Sequence, residues 1–181
     1  IAEIKRCSPS VGPMRKENVD AAAATYAASS HVRAVSILTN RTHFGMGVED
    51  LARLRAALPQ PVLRKDFFID DYQIFEARAH GADAILLMAN VLDATQLRDF
   101  HQLALELGME ALFEIHTLDE IALLPKSARV VGINSRKFKS TSGFVGSTGS
   151  SQKDFSLEMS VFDLVTHLPA GCLRVAESGL A

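Results

Sequence analysis

A repeated alternation of short apolar runs with longer stretches of helical periodicity most restricts how this chain can fold. The runs occupy 1–5, 34–38, 61–65, 84–88, 111–115, 130–134 and 173–177. Between them, apolar residues recur at intervals of three and four, the spacing of one helix face. The clearest such stretch is 93–108, where Leu97, Phe100, Leu103, Ala104 and Leu107 form a stripe and Arg98, Asp99, Gln102 and Glu106 face elsewhere. Asp93 is placed to cap the start of that helix and Gly108 to end it. Gly81 likewise divides a helical pattern from the run that follows, and Asp70 is expected to open a helix whose apolar face runs through Tyr72, Phe75 and Ala79. Strands that alternate with helices pair in parallel through right-handed crossovers.

Such a chain makes either a doubly wound sheet or an eightfold barrel. The strand spacing of roughly 25–30 residues suits a barrel of ~250 residues. No GxGxxG follows a strand and no GxxxxGK[ST] occurs, so nucleotide-binding sheets lose their main support. The reading is therefore α/β, a (β/α)8 TIM barrel represented by strands one to seven, with its eighth unit absent. Nothing marks an internal boundary, so 1–181 is expected to be a single catalytic domain. The chain opens at Ile1 inside an apolar run and stops at Ala181 where a strand has just met a turn, so it is expected to be an excerpt of a longer protein.

Composition removes several function classes. The formal net charge is −2 with Lys and Arg dispersed, which gives nucleic acid no basic footprint. No apolar run approaches the ~20 residues of a membrane span. Cys7 and Cys172 lie far apart and outside any CxxC pair, against a disulfide scaffold or zinc cluster and in keeping with the cytoplasm. His31, His43, His80, His101, His116 and His167 show no HxH or HExxH spacing, so they are expected at the surface or in packing, not on a metal. His116 stands apart because it follows Glu114 on the same face, which suggests a supporting role behind it. The stretch 137–160, rich in Ser, Gly and Thr, reads as a solvated loop or as a lid over the site.

In a barrel, reactive groups gather at the C-terminal ends of the strands. The first run delivers Glu3 and Lys5, two apart and so on one face. The third delivers Lys65, the fifth Glu114, the sixth Asn134 and Arg136, and the seventh Glu177, Ser178 and Gly179. Charges in otherwise apolar strands are costly to bury singly. A side chain pointing into water explains any one of them but not the set. Two lysines and three glutamates at one mouth shift one another's proton affinities, as acid/base catalysis requires. The residues alone thus point to an acid/base site without a cofactor, for an anionic substrate.

At these positions the sequence resembles the indole-3-glycerol phosphate synthase family. The resemblance runs through Ile1-Ala2-Glu3-Ile4-Lys5-Arg6 with Ser8-Pro9-Ser10, then Leu63-Arg64-Lys65-Asp66-Phe67, Asp71-Tyr72-Gln73 and Gly81-Ala82-Asp83-Ala84. Glu114, Gly132-Ile133-Asn134 with Arg136, and Glu177-Ser178-Gly179 complete it in the same order. It implies closure of 1-(2-carboxyphenylamino)-1-deoxyribulose 5-phosphate to indole-3-glycerol phosphate, with release of carbon dioxide and water. It also implies a family segment ahead of the first strand, an N-terminal extension absent here.

The resemblance assigns roles. Lys65 becomes the general acid on the ketose oxygen and Glu114 the base of the later dehydration. Lys5 pairs with substrate anions and helps position or protonate the ketose. Glu3, Asn134, Glu177 and Ser178 hold hydroxyls and charged groups, and Arg136 orients the site. Ser8 and Gly179 contribute to phosphate binding, while Phe44, Leu63 and Phe67 meet the aromatic end. No metal or other cofactor is implied, and the parent is one that fuses to or associates with other tryptophan-pathway enzymes. Two departures stand out: Cys7, expected as a small buried hydrophobe, replaces a usual Ala, and Ser135 stands where a second Asn is common. A phosphoribosyl isomerase or a tryptophan synthase alpha subunit would share the barrel but not the Lys5, Lys65, Glu114 and Asn134 set. The alternative from another class is an incomplete, inactive phosphate-binding module acting as an assembly partner.

Overall fold

The computed structural model describes residues 1–8, 12–13, 18–136 and 157–178. Seven parallel strands pair in chain order, each with the next. They are β1 (Ala2–Ile4), β2 (Val35–Leu38), β3 (Val62–Lys65), β4 (Ala84–Met88), β5 (Glu110–Ile115), β6 (Val130–Asn134) and β7 (Leu173–Glu177). Between them lie α1 (Asn18–Ala28), α2 (Arg41–Phe44), α3 (Val48–Arg55), α4 (Tyr72–Ala79), α5 (Ala94–Glu106), α6 (Leu118–Ile121) and a 3-10 run, Met159–His167. A short antiparallel ladder pairs Cys7–Ser8 with Gly12–Pro13. Among the described residues no helix is long and apolar enough to cross a membrane.

The strand period of two sorts side chains into two layers. Ile37, Val62, Ile85, Leu87, Phe113, Ile115 and Val131 face the helices and pack with Leu51, Leu54, Ile74 and Leu97 in the large core. Leu63, Leu86, Met88 and Leu112 face the other way and form a small inner core. The sheet is strongly curled. Four strand spacings separate β3 from β7, about 19 Å in a flat sheet. Yet Lys65 Nζ lies 3.0 Å from Glu177 Oε2 and 3.4 Å from Glu3 Oε2 on β1. Only a sheet bent around its inner face brings those three side chains together. Seven units of a (β/α) barrel describe the result. No described strand pairs with the outer side of β1 or β7, and Leu173 on β7 is exposed.

Local signals account for most boundaries. Asp93 Oδ1 accepts from Gln96 N at 2.9 Å while Gln96 Oε1 accepts from Asp93 N at 3.0 Å, the reciprocal capping box that starts α5. Gly81 and Gly108 adopt φ of 87° and 75° after α4 and α5, a left-handed conformation that costs glycine little. Leu97 and Ala104 of the expected stripe are buried, and His101 joins them, its ring edge-on to Phe113 at 5.0 Å.

Two expectations need correction. Asp70 does accept from Tyr72 N at 2.9 Å, but the inward face of α4 is Ile74 and Ala77, with Tyr72 67% and Phe75 49% exposed. The reason lies on β3: Arg64 Nη1 donates to the Gln73 carbonyl at 3.0 Å and reaches Glu76 Oε2 at 2.9 Å, turning that side of α4 inward. Cys7 is half-buried, not buried, because its thiol is drawn to the His43 carbonyl, 3.3 Å away.

Candidate active site

The site rests on a polar brace behind β3. Lys65 and Arg64 are adjacent, so one faces the lumen and the other the helices. Arg64 is 4% exposed. Its Nε donates to Thr39 Oγ1 at 3.1 Å, its Nη2 pairs with Asp66 Oδ2 at 3.2 Å, and its plane lies 5.2 Å from the Phe68 ring centre. Asp66 in turn accepts from Thr39 Oγ1 at 2.8 Å and from Phe67 N at 2.9 Å. A guanidinium with its donors this fully used is tolerable at such depth, whereas removing one partner of a buried pair costs about 3–5 kcal/mol. The brace holds the end of β3 and the start of its loop, where Lys65 and Phe67 sit.

Lys65 projects to the other side, among carboxylates. Besides Glu177 and Glu3 it faces Glu114, and Glu3 also pairs with Lys5. Burial works to discharge the Lys65 ammonium, but Glu177, Glu114 and Glu3 outweigh it and hold its pKa above the ordinary lysine value. For Glu3, burial pushes upward, and Lys65 and Lys5 overcome it, leaving the carboxyl below its usual range.

Glu114 behaves oppositely. It is 1% exposed. Burial first, and then the Glu177 charge, push its pKa up to about 7, against the pull of Lys65, His116 and a hydrogen bond from Asn134. Asn134 is oriented by accepting from Arg136 N through Oδ1 at 3.0 Å. Register places Glu114 beside Gly132 and Asn134 beside Glu177. A Cβ on Gly132 would collide with Glu177 Oε1 and stand 3.1 Å from Glu177 Cδ. The missing side chain is what lets the Glu177 carboxylate bend toward Lys65. Ser135, the residue at the departure noted above, donates to the Ser178 carbonyl at 3.0 Å and pins Ser178 at a φ of 66°, a conformation rare for serine.

Glu3, Lys5, Phe44, Lys65, Phe67, Glu114, Asn134, Arg136 and Ser178 line one cavity at the C-terminal ends of the strands, with Leu38, Asp66, Leu86 and Met88. Glu177 lines the adjoining lower part of the lumen. Leu63 is also there, one layer beneath Lys65, 5% exposed against Leu86, Met88 and Leu112. Gly179, the Ser8 side chain and 137–156 of the Ser/Gly/Thr-rich loop lie outside the described residues. The part of that loop that is described returns to the site: Arg136 bridges to Leu157, and Glu158 N donates to the Ser135 carbonyl at 2.7 Å. Sequence reasoning left Arg64 and Asp66 without a role, although a charged pair flanking Lys65 in an apolar strand was a visible signal. Among the described residues no group of three or more His, Cys, Asp or Glu is arranged to hold a metal.

A family model for indole-3-glycerol phosphate synthase matches residues 1–181. The chain belongs to that family. An indole-3-glycerol phosphate synthase of Paenarthrobacter aurescens is 41% identical over 99% of this chain and 62% of its own length. One from Salinibacter ruber is 39% identical over 100% of this chain and 63% of its own length. The chain thus spans under two thirds of these relatives. Among solved structures, 3-hexulose-6-phosphate synthase from Salmonella typhimurium superposes with a TM-score of 0.56 at 16% identity, covering 80% of this chain and 67% of that one. That likeness concerns the fold alone.

Proposed function

We propose that the protein is a carboxy-lyase that closes the indole ring: it converts 1-(2-carboxyphenylamino)-1-deoxyribulose 5-phosphate to indole-3-glycerol phosphate. The reading is carried by one juxtaposition. An ammonium that holds its proton and a carboxyl with a pKa of about 7 open on the same cavity, on strands β3 and β5. Lys65 donates to the ketose oxygen as the aromatic carbon attacks the ketose carbon, so the carbonyl π electrons become a hydroxyl and a carbon–carbon bond forms. Loss of carbon dioxide returns the ring's electrons. Glu114 then removes a proton from the closed ring while the hydroxyl takes one from Lys5, the second ammonium at the mouth, and leaves as water. Acid help at the first step is needed because attack interrupts the aromatic ring. Glu3, Lys5, Asn134, Glu177, Ser178 and Arg136 surround the reacting carbons and hold hydroxyls and anions. Phe44 and Phe67 supply an apolar wall for the aromatic end, and Leu63 the floor below it. Ser8 and Gly179 complete a phosphate site. The reaction runs without a metal or organic cofactor, in one catalytic domain of a cytoplasmic enzyme.

The full-length protein given this substrate is expected to produce indole absorbance and one carbon dioxide per turnover. Substrate left unchanged at enzyme concentrations comparable to its own would overturn the assignment. The Gly132 close approach gives a sharper check. In the full-length protein, Gly132→Ala should leave the fold intact, since the flexible end of Glu177 can swing away and the Leu112 methyl, 3.3 Å from the new Cβ, need give only slightly. It should still lower kcat by roughly 10²-fold, as misplaced catalytic groups do. Circular dichroism and steady-state kinetics read the two halves, and a parental kcat would show that Glu177 needs no such room.

A further inference from the structure

Past Glu114, at the C-terminal end of β5, a second file of ionisable groups continues into the start of α6. Glu114 Oε1 is buried and makes no hydrogen bond among the described residues. His116 Nε2 lies 3.5 Å from that same oxygen. On its other side His116 Nδ1 lies 3.6 Å from Glu120 Oε2, and its backbone N donates to that oxygen at 2.7 Å. Glu120 sits in the first turn of α6, where Thr117 Oγ1 accepts from its N at 3.4 Å. The side chains of His116 and Glu120 are 11% and 13% exposed, and neither lines the cavity at the mouth or the lumen below it.

We propose that His116 is the group through which Glu114 exchanges its proton with solvent, with Glu120 as the outer anion that supports the charge in transit. The inference rests on the base role given to Glu114 above. Glu114, carrying the proton taken from substrate, passes it from Oε1 to Nε2. The O–H bond breaks, an N–H bond forms, and the imidazolium stands between two carboxylates. The imidazolium then gives its Nδ1 proton to Glu120 Oε2, 3.6 Å away, and Glu120 releases it to water, which leaves a neutral ring and an ionised Glu114. The two distances are a few tenths of an ångström longer than a transfer contact, a gap that a small rotation of the ring closes, and such contacts commonly tighten once substrate is bound. The remaining groups facing Glu114 do not lead away from the substrate: Lys65 on β3 and Glu177 on β7 are paired with each other and line the cavity and the lumen below it, and Asn134 on β6 does not titrate. For Glu120, burial raises the pKa and the bonds and charge of His116 more than reverse it, so the outer station stays ionised.

The test uses His116→Gln and His116→Ala in the full-length protein. Both should lower kcat about tenfold to a hundredfold with KM little changed. Imidazole added to the assay should restore rate to the alanine variant only, where the ring's space is empty. Parental kcat in both, or a loss in the alanine variant that imidazole leaves untouched, would overturn the proposal. A second readout needs no substrate. The Glu114 carboxyl, followed by carbon NMR against pH, should change its midpoint in His116→Gln, because interacting groups titrate together. A Glu114 titration indifferent to His116 would overturn the coupling whatever the activity. A wild-type protein inert toward the substrate, yet showing the coupled titration, would overturn the synthase reading and leave the proton path standing.

Discussion

Lys65→Ala in the full-length protein is expected to abolish ring closure. General acid help is worth ~10²–10⁴ in rate, and the charge of a preorganised ammonium facing a developing alkoxide adds to it. No other side chain on β3 reaches the lumen at that height, because Arg64 points to the helices and Leu63 lies a layer lower. The alanine also strips Glu3 and Glu177 of a shared counter-ion, so some stability goes with it, and Lys65→Arg separates the two effects. Arginine keeps the carboxylates paired, but its planar, delocalised fork cannot present one proton to the ketose oxygen as a compact ammonium does. It should fold like the parent and still fail at closure. Substrate affinity should fall far less than turnover in both variants, since the anions of the substrate are held mainly elsewhere. Single-turnover kinetics with each variant decide the matter. Ring closure near the parental rate in Lys65→Ala would remove Lys65 from the acid role and point to Lys5.

What the sequence shows about this site, and what it conceals, follows from the period of a strand. Glu3 and Lys5 share a face because they are two apart, and Lys65, Glu114, Asn134 and Glu177 each stand at or within one residue of the C-terminal end of a strand. Those features are local and were legible. The contact of Lys65 with Glu177 was not, since it joins strands four places apart and exists only once the sheet curls. Gly132 concealed its role for a related reason: a missing Cβ has meaning only against the carboxylate that would occupy its space. The face of α4 was misread because apolarity alone suggested Tyr72 and Phe75, while a buried arginine on the neighbouring strand selected the Gln73 and Glu76 side. Leu63 and Lys65 share a face, and two residues along a strand is about 7 Å of depth, so Leu63 lies a layer below Lys65.

Glu114→Gln should spare ring closure and stop the pathway later, at dehydration. The amide keeps the size and shape of the side chain and the hydrogen bond with Asn134, and removes only the ability to take a proton. The closed, decarboxylated intermediate should therefore accumulate in single turnover, with the later step slowed by ~10²–10⁴. In the parent, a base with a pKa of about 7 must be ionised to act, so dehydration should rise with pH through that value; in the glutamine variant the rise should vanish. Stability should respond in the opposite sense. The folded carboxyl holds its proton more tightly than the unfolded one, whose pKa is 4.5. Its contribution to stability is then fully present below that value and is lost as pH climbs through about 7. Glu114→Gln removes this dependence, so the variant should gain Tm relative to the parent at pH 8 and lose the advantage at pH 4. Melting curves at the two pH values, set beside the single-turnover traces, separate a base from a buried structural carboxyl. A dehydration rate in Glu114→Gln that matches the parent, with the same pH profile, would hand the base role to Glu177 or Glu3.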